Sequence, residues 1–344
     1  MDFFEENELD YLRADDFMMG AIESRALATA FELGIMEYLI ETRHADFEEL
    51  SAVFRLDPQG LHLIVDLLKA NGVINGDDGE IILSAAFIKV LPFIDLLKAK
   101  LDMVNLVCTD FTDLFNVMIR DPQGFFSRSQ IFQLFSYDKS LTKRQQNYGT
   151  ARRWMRFTTA LTRHEALVCM KHHDFSGYSR LLDIGGNSGE FSLRILRKFP
   201  SMSATVLDLP LVCDIGEEHV ACEPEAGRIT FLRGDALSDP IPGGFDLITF
   251  KSMLHDWPDK ETEILLQRAI GSLAPGGTLL IFERAPLVFE AGRIPYSMVP
   301  VLLFFRSFRN PEKYEGSLKE KGLKDIKAVK IDLDTPFSLI TAKK

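Results

Sequence analysis

Residues 181–190 read Leu181-Leu182-Asp183-Ile184-Gly185-Gly186-Asn187-Ser188-Gly189-Glu190, and the next eight, Phe191-Ser192-Leu193-Arg194-Ile195-Leu196-Arg197-Lys198, carry apolar residues at helical spacing. An apolar run closed by an acid, then a glycine-rich turn, then an amphipathic helix is the strand-to-helix corner of a doubly wound α/β sheet. The glycines bring backbone close to a ligand, and the helix N-terminus behind them favours a carboxylate or phosphate. Tight turns also use glycine for steric reasons alone, so the ligand reading needs support from elsewhere in the chain.

The following strands supply it. Ala204-Thr205-Val206-Leu207-Asp208 ends in an acid at the separation expected of a carboxylate that grips ribose hydroxyls. Residues 228–236 form another β-like run that reaches Asp235, and Phe245-Asp246-Leu247-Ile248-Thr249-Phe250 runs into Lys251-Ser252-Met253-Leu254-His255-Asp256-Trp257-Pro258. Asp259 is expected to cap a helix carrying Ile264, Leu265, Leu266, Ala269, Ile270 and Leu273, which Pro275-Gly276-Gly277 should stop before a fifth strand ending at Glu283. Residues 326–331 and 337–341 read as a closing hairpin. Strand ends of an open α/β sheet line one crevice, so Asp183, Asp208, Asp235, Lys251, His255 and Glu283 are expected to converge there. The dinucleotide fingerprint leaves room for a pyrophosphate. Here Asp183 would point a carboxylate into that place and repel it, whereas a cationic ligand is favoured. S-adenosyl-L-methionine, with its sulfonium and ammonium, fits better than NAD.

The motifs DIGGNSG at 183–189, VLDLP at 206–210, GDAL at 234–237, FKSMLHDWPD at 250–259 and LAPGGTLLIFE at 273–283 resemble, in order and spacing over most of residues 145–344, one family. It is the S-adenosylmethionine-dependent O-methyltransferases of the plant caffeate, hydroxyindole and bacterial polyketide-tailoring type. The resemblance implies a Rossmann-like seven-stranded methyltransferase sheet, S-adenosyl-L-methionine as cofactor with S-adenosyl-L-homocysteine as product, and a small aromatic or polycyclic acceptor. It implies that Asp183, Gly185, Gly186 and Gly189 surround the methionine portion, that Asp208 and Leu209 meet the ribose, that Asp235 and Ala236 flank the adenine, and that Lys251 lies near the cofactor. His255 matches the general base and Glu283 the acid that orients it. Two positions depart from the family pattern: Ala236 stands where members often have Met, and Phe308 stands where they carry a second acid beside the histidine. The latter change keeps a second reading open, a cofactor-dependent enzyme of this fold with N- or C-methylation or non-methylating chemistry.

The chemistry of the base has its own rationale. A phenol has a pKa near 10, so a neutral imidazole at its hydroxyl can take the proton as the oxygen attacks. A carboxylate on the other ring nitrogen fixes the tautomer and stabilises the imidazolium; Glu283, closing the neighbouring strand, is expected to do so, with the side chain of Asp256 diverging. Plain structural roles stand beside these: His255 satisfying a loop carbonyl, Glu283 solvated, Lys251 paired with an acid. His172, His173 and His219 lack partners at ligand spacing and are expected at the surface; no metal is implied.

The first half reads differently. The 344 residues suit a winged-helix-like dimerisation domain at 1–100, a helical connector at 101–171 contributing to the acceptor pocket, and a catalytic domain at 172–344. A helix is expected over 18–40 with Ile22, Ala26, Ala30 and Leu33 on one face, then helices near 47–54 and 59–70 and a ribbon over 72–82. That order suggests a dimeric regulator sensing an adenosyl ligand as a non-enzymatic alternative. Against nucleic acid, the would-be recognition helix offers one lysine and no arginine, and the net charge is −11. The apolar groups Phe17-Met18-Met19, Ile35-Met36 and residues 61–68 instead suggest a homodimer. Acceptor-pocket candidates are Met155, Trp257, Met298, Phe304 and Phe308, the first of them in a helical middle, about 87–171, that is rich in Phe111, Phe115, Phe125, Phe126, Phe132 and Phe135. Four cysteines without paired spacing, no signal-peptide pattern and no apolar run long enough to span a bilayer give a cytoplasmic expectation without membrane partners.

Overall fold

The computed structural model describes residues 8–18, 20–77, 79–134, 140–141, 145–289 and 294–344, so Met19 and Phe135 lie outside the described residues. The chain forms two compact units, Met1–Gln130 with Ala291–Leu303, and Ile131–Glu290 with Phe304–Lys344.

In the first unit the expected helix over 18–40 is two helices, Ala21–Glu32 and Ile35–Thr42, broken at Gly34, whose φ of +85° is a conformation other side chains resist. Ile22 is 67% exposed, while Ala26, Leu27 and Ala30 are buried. Helix Phe47–Phe54 opens on a capping box of Asp46 and Glu49, and helix Pro58–Ala70 on Asp57, which accepts from the Gly60 N–H. Strand β1 (His44–Ala45) pairs with β3 (Glu80–Leu83), which pairs with β2 (Ile74–Asp77). Phe17, Met18, Ile35, Met36, Leu61, Val65 and Leu68, read above as surplus apolar surface, are consumed by this unit's own core. A segment from far along the chain joins them: Tyr296 packs on that core and its N–H donates to the Met18 carbonyl at 2.7 Å.

The second unit is built on β4 (Arg180–Ile184), β5 (Ser203–Asp208), β6 (Ile229–Arg233), β7 (Phe245–Lys251), β8 (Leu273–Arg284), β9 (Lys324–Asp332) and β10 (Pro336–Lys343). Among the described residues these make one sheet in the order β6-β5-β4-β7-β8-β10-β9, parallel from β6 to β8, with β10 antiparallel to both neighbours. The order in which strands are added reverses between β4 and β7, the switch point at which such sheets bind ligands. Pro275-Gly276-Gly277 does not precede β8 but lies inside it, as an irregularity where Gly276 takes φ +74° and the register to β7 shifts. Asp259 is not a cap either; Pro258 holds that position, and the Asp259 carboxylate pairs with Arg309 at 2.9 Å and with Lys313. Leu182, Ile184, Ile248, Phe250, Leu266, Leu279 and Ile281 fill the core on one side of the sheet. Among the described residues, no helix is long and apolar enough to cross a membrane.

Candidate functional site

The glycine turn after β4 is shaped by its neighbours. Gly185 and Gly189 have φ of +68° and +76°. A Cβ on Gly185 would fall 2.3 Å from Met253 Cγ, on Gly186 2.8 Å from Asp183 Oδ2, and on Gly189 2.9 Å from Phe231 Cζ. All three glycines are therefore demanded by protein packing, whatever else approaches them. Asp183 is buried beneath the turn, where Ser192 Oγ donates to Oδ2 at 3.0 Å and Thr249 Oγ1 to Oδ1 at 2.8 Å. It braces the turn from below instead of pointing into open space, and burial pushes its carboxyl up to about 6.

Asp208 is held differently. Its Oδ2 accepts from the Asn187 N–H and its Oδ1 from the Leu209 N–H, both at 2.8 Å, and the side chain stays half-buried. Burial raises it to about 6 as well, against the pull of those two bonds. A carboxylate has about four lone-pair sites, so acceptor capacity remains. Asp235 closes its own turn, accepting from the Leu237 N–H at 2.8 Å and from Ser238 Oγ at 3.0 Å, while the carbonyl of Ala236 accepts from Arg268 Nε at 2.7 Å.

His255 sits on a short 3-10 turn, Leu254–Asp256, just beyond β7. Its Nδ1 lies 2.6 Å from Glu283 Oε2, and Glu283 Oε1 accepts from the N–H groups of Met253 at 2.7 Å and Leu254 at 2.6 Å. The buried carboxylate thus orders both the loop and the ring, and it directs the proton of the neutral imidazole to Nδ1, leaving Nε2 as the basic nitrogen. Asp256 does not diverge: its Oδ1 is 3.5 Å from Nε2. Burial pulls the imidazole down, but the Glu283 and Asp256 carboxylates outweigh it and hold the ring above its ordinary 6.5. Burial in turn lifts Asp256 to about 6. Phe308 packs its ring at 61° to the imidazole with centroids 5.5 Å apart. Arg309 clamps the same turn, donating from Nη1 to the Leu254 carbonyl at 2.8 Å and from Nη2 to that of Trp257.

Lys251 is committed to protein partners. Its ammonium pairs with buried Glu165 and donates to Thr162 Oγ1 at 2.8 Å; Glu165 also receives Arg284 Nη2 at 3.0 Å, and Arg284 reaches Asp334 at 3.0 Å and Thr335. The plain structural reading of this lysine therefore has a concrete basis. Next to it, Ser252 takes φ +50°, uncommon for a serine, and its buried Oγ has no hydrogen-bond partner among the described residues.

The acceptor-pocket candidates separate. Phe304 packs with Phe132 and Trp154 at centroid distances of 5.1 and 6.3 Å, an aromatic group within the second unit. Met155 is buried with Leu209, Leu211, Val212 and Ile215, so it backs the end of β5 instead of facing open space. Trp257 packs on the core of the sheet. Met298 belongs to the first unit, on the turn Tyr296–Met298. The other histidines are not all at the surface: His219 Nε2 lies 2.6 Å from buried Glu190, and His173 Nε2 lies 3.2 Å from Tyr178 Oη. Burial pushes Glu190 up, yet His219 and Arg194 hold it down at about 2.

Sequence reasoning missed Thr158, Thr159 and Glu165 on helix Gln145–His172, where Thr158 Oγ1 reaches Asn187 Oδ1 at 3.3 Å and Thr159 Oγ1 donates to Ser188 Oγ at 2.7 Å. The available signal was polar residues at helical spacing on a helix that elsewhere packs apolar side chains inward.

Comparison with known proteins adds to this geometry. A family model described as an O-methyltransferase domain matches residues 116–324. The chain is 30% identical to the 3-hydroxy-5-methyl-1-naphthoate 3-O-methyltransferase of Streptomyces sahachiroi over 161 residues, which span about half of each protein, 46% in both cases. It is 25% identical to the L-tyrosine C(3)-methyltransferase of Streptomyces lavendulae over 95% of this chain and 91% of that one. In fold it is similar to human N-acetylserotonin methyltransferase, solved in complex with SAM, with a TM-score of 0.68 at 21% identity and 99% of both chains covered.

Proposed function

The chain belongs to the S-adenosylmethionine-dependent O-methyltransferase family, and on that premise we propose that it transfers a methyl group from S-adenosyl-L-methionine to a hydroxyl of a small aromatic or polycyclic acceptor, with His255 as general base. The observation that carries this reading is the buried Glu283 carboxylate, which fixes Nδ1 of His255 at 2.6 Å and the two residues just before it, so that Nε2 is left to act.

The residues suit the cofactor in their chemistry. Asp208 keeps free acceptor capacity suited to a vicinal diol, and the turn 185–189 with Leu209 forms the backbone around it. Asp235 and Ala236 are proposed beside the adenine, and the carboxylate of Asp208 favours a cationic ligand over a pyrophosphate. When bound, S-adenosylmethionine supplies a methyl group on a good leaving group, so that positioning is the main demand. His255 Nε2 takes the proton of the acceptor hydroxyl as the oxygen becomes nucleophilic, and Glu283 stabilises the resulting imidazolium. Asp256, close to Nε2, adds to that stabilisation.

Phe304 with Phe132 and Trp154, together with Phe308 against His255, supports a flat apolar acceptor. A homodimer formed through the N-terminal unit and a cytoplasmic location are part of the proposal, as is the absence of nucleic-acid partners. Similarity to a C-methyltransferase over nearly the whole chain, with Phe308 in place of a second acid, motivates carbon methylation as the second reading.

The test is transfer of a labelled methyl group from S-adenosylmethionine to a panel of phenols, quinones and heterocycles by wild type and His255→Ala. Label on oxygen with wild type alone supports the proposal. Label on carbon selects the second reading, and equal transfer by both proteins removes His255 from the chemistry.

A further inference from the structure

One face of helix Gln145–His172 touches the strand ends in the order in which the sheet arranges them. Met155 packs with Leu209, just after β5. Thr158 and Thr159 meet Asn187 and Ser188, just after β4. Thr162 accepts from Lys251, which closes β7. Glu165 pairs with Lys251 and with Arg284, which closes β8. Spacings of three and four residues put these side chains on one helical stripe, so a single rotation or slide of the helix would disturb every contact together.

Glu165 differs from the hydroxyls and the thioether on that stripe because it is charged. Its side chain is 1% exposed, against 10% for both Lys251 and Arg284. A buried carboxylate between two buried cations is costly to break and directional, because either cation left unpaired is strongly unfavourable. Arg284 continues to Asp334, so two cations meet two carboxylates and the group is neutral as a whole. Buried pairs of this kind are best attested as devices that fix register.

We propose that Glu165 is a positioning residue of the cofactor site: it locks the helix across the ends of β5, β4, β7 and β8, and through Lys251 and the Thr158–Asn187 and Thr159–Ser188 contacts it sets the glycine turn for cofactor binding. This rests on the cofactor reading given above. Glu165 touches neither the acceptor nor His255 in this account, so its loss acts on cofactor affinity and not on proton transfer.

The experiment measures S-adenosylhomocysteine affinity by calorimetry, KM for S-adenosylmethionine, kcat, the pH profile and melting temperature for wild type, Glu165→Gln, Glu165→Asp and Asp334→Asn, all as full-length chains. Glu165→Gln is expected to weaken S-adenosylhomocysteine and raise KM for the cofactor on the order of tenfold, with kcat at saturation within about twofold. The pH profile set by His255 should not move. Glu165→Asp keeps the charge and should recover part of the affinity, which also serves the test if Glu165→Gln does not fold. Asp334→Asn, at the far end of the same charge group, should lower the melting temperature yet leave affinity at the wild-type value. Affinity that tracks melting temperature equally in Glu165→Gln and Asp334→Asn, or wild-type affinity in Glu165→Gln, would overturn the proposal. A wild-type protein that does not bind S-adenosylhomocysteine fails earlier, at the cofactor reading itself.

Discussion

Two buried acid–base pairs lie side by side at the ends of β7 and β8, and they are built to different ends. In the His255–Glu283 pair one ring nitrogen is taken by the carboxylate at 2.6 Å, while the other, among the described residues, has Asp256 at 3.5 Å. In the Lys251–Glu165 pair the ammonium also has Thr162, and the carboxylate also has Arg284. Among the described residues the first pair leaves Nε2 without a hydrogen bond, whereas in the second each member is tied to a further side chain, with Glu165 Oε2 facing the ammonium as an ion pair alone. An incompletely satisfied pair can exchange a proton with a ligand, whereas a closed one holds geometry. Residue type alone does not separate the two, because both are a base beside a glutamate.

The comparison breaks most visibly at His255. His255→Ala should lower kcat by about 10²–10⁴-fold while S-adenosylhomocysteine affinity by calorimetry stays close to that of wild type. A comparable loss of cofactor affinity would mean that this pair, too, serves structure. Glu283→Gln should lower kcat less, and it should move the acid limb of kcat/KM toward lower pH. The sign follows from the raised pKa of His255: the ring must lose its proton to act, the carboxylate holds the proton on, and removing the charge lets it leave at lower pH. The same raised value means that the stability supplied by this group is full below 6.5 and lost as pH rises through the folded pKa. Glu283→Gln should therefore cost more melting temperature at pH 6 than at pH 9, which thermal scans at the two pH values would check.

How much of this was legible in the sequence follows from the range of the interactions. The strands, the glycine turn and the order of the acids could be read because each is local: an apolar run, a turn composition, a charge at a strand end. The register of helix Gln145–His172 could not, because Thr158, Thr159 and Glu165 find their partners between 29 and 119 positions away. Gly34, by contrast, is legible in the sequence as a helix breaker, whereas the exposure of Ile22 is not, since it shares an unbroken helix and the i, i+4 spacing with buried Ala26 and Ala30. Asp256 was expected to diverge because adjacent side chains on a strand do so; the 3-10 turn removes that alternation and brings its carboxylate near the same ring. The docking of Tyr296 into the first unit had no local signature at all.

Smaller effects sharpen the picture. Arg309→Lys keeps the charge but loses the planar fork that reaches the Leu254 and Trp257 carbonyls, so kcat should fall by about three- to tenfold with little change in cofactor affinity. Steady-state kinetics at saturating cofactor would check this, and an unchanged kcat would show that the turn stands without its clamp. Asp183→Asn should have the smallest effect on stability. Because burial raises its folded pKa to about 6, its favourable contribution is full below 3.8 and lost as pH rises through about 6. At pH 8 the variant should melt no lower than wild type; a large drop would mean that the charge itself holds the turn.

The role of His255 as the base is read most directly from the pH dependence of single-turnover methyl transfer, with wild type and His255→Ala compared at saturating cofactor. The wild-type rate should rise through an ionisation above 6.5, and the residual rate of the variant should lack this limb. The same limb persisting in His255→Ala would contradict the assignment of His255 as the base.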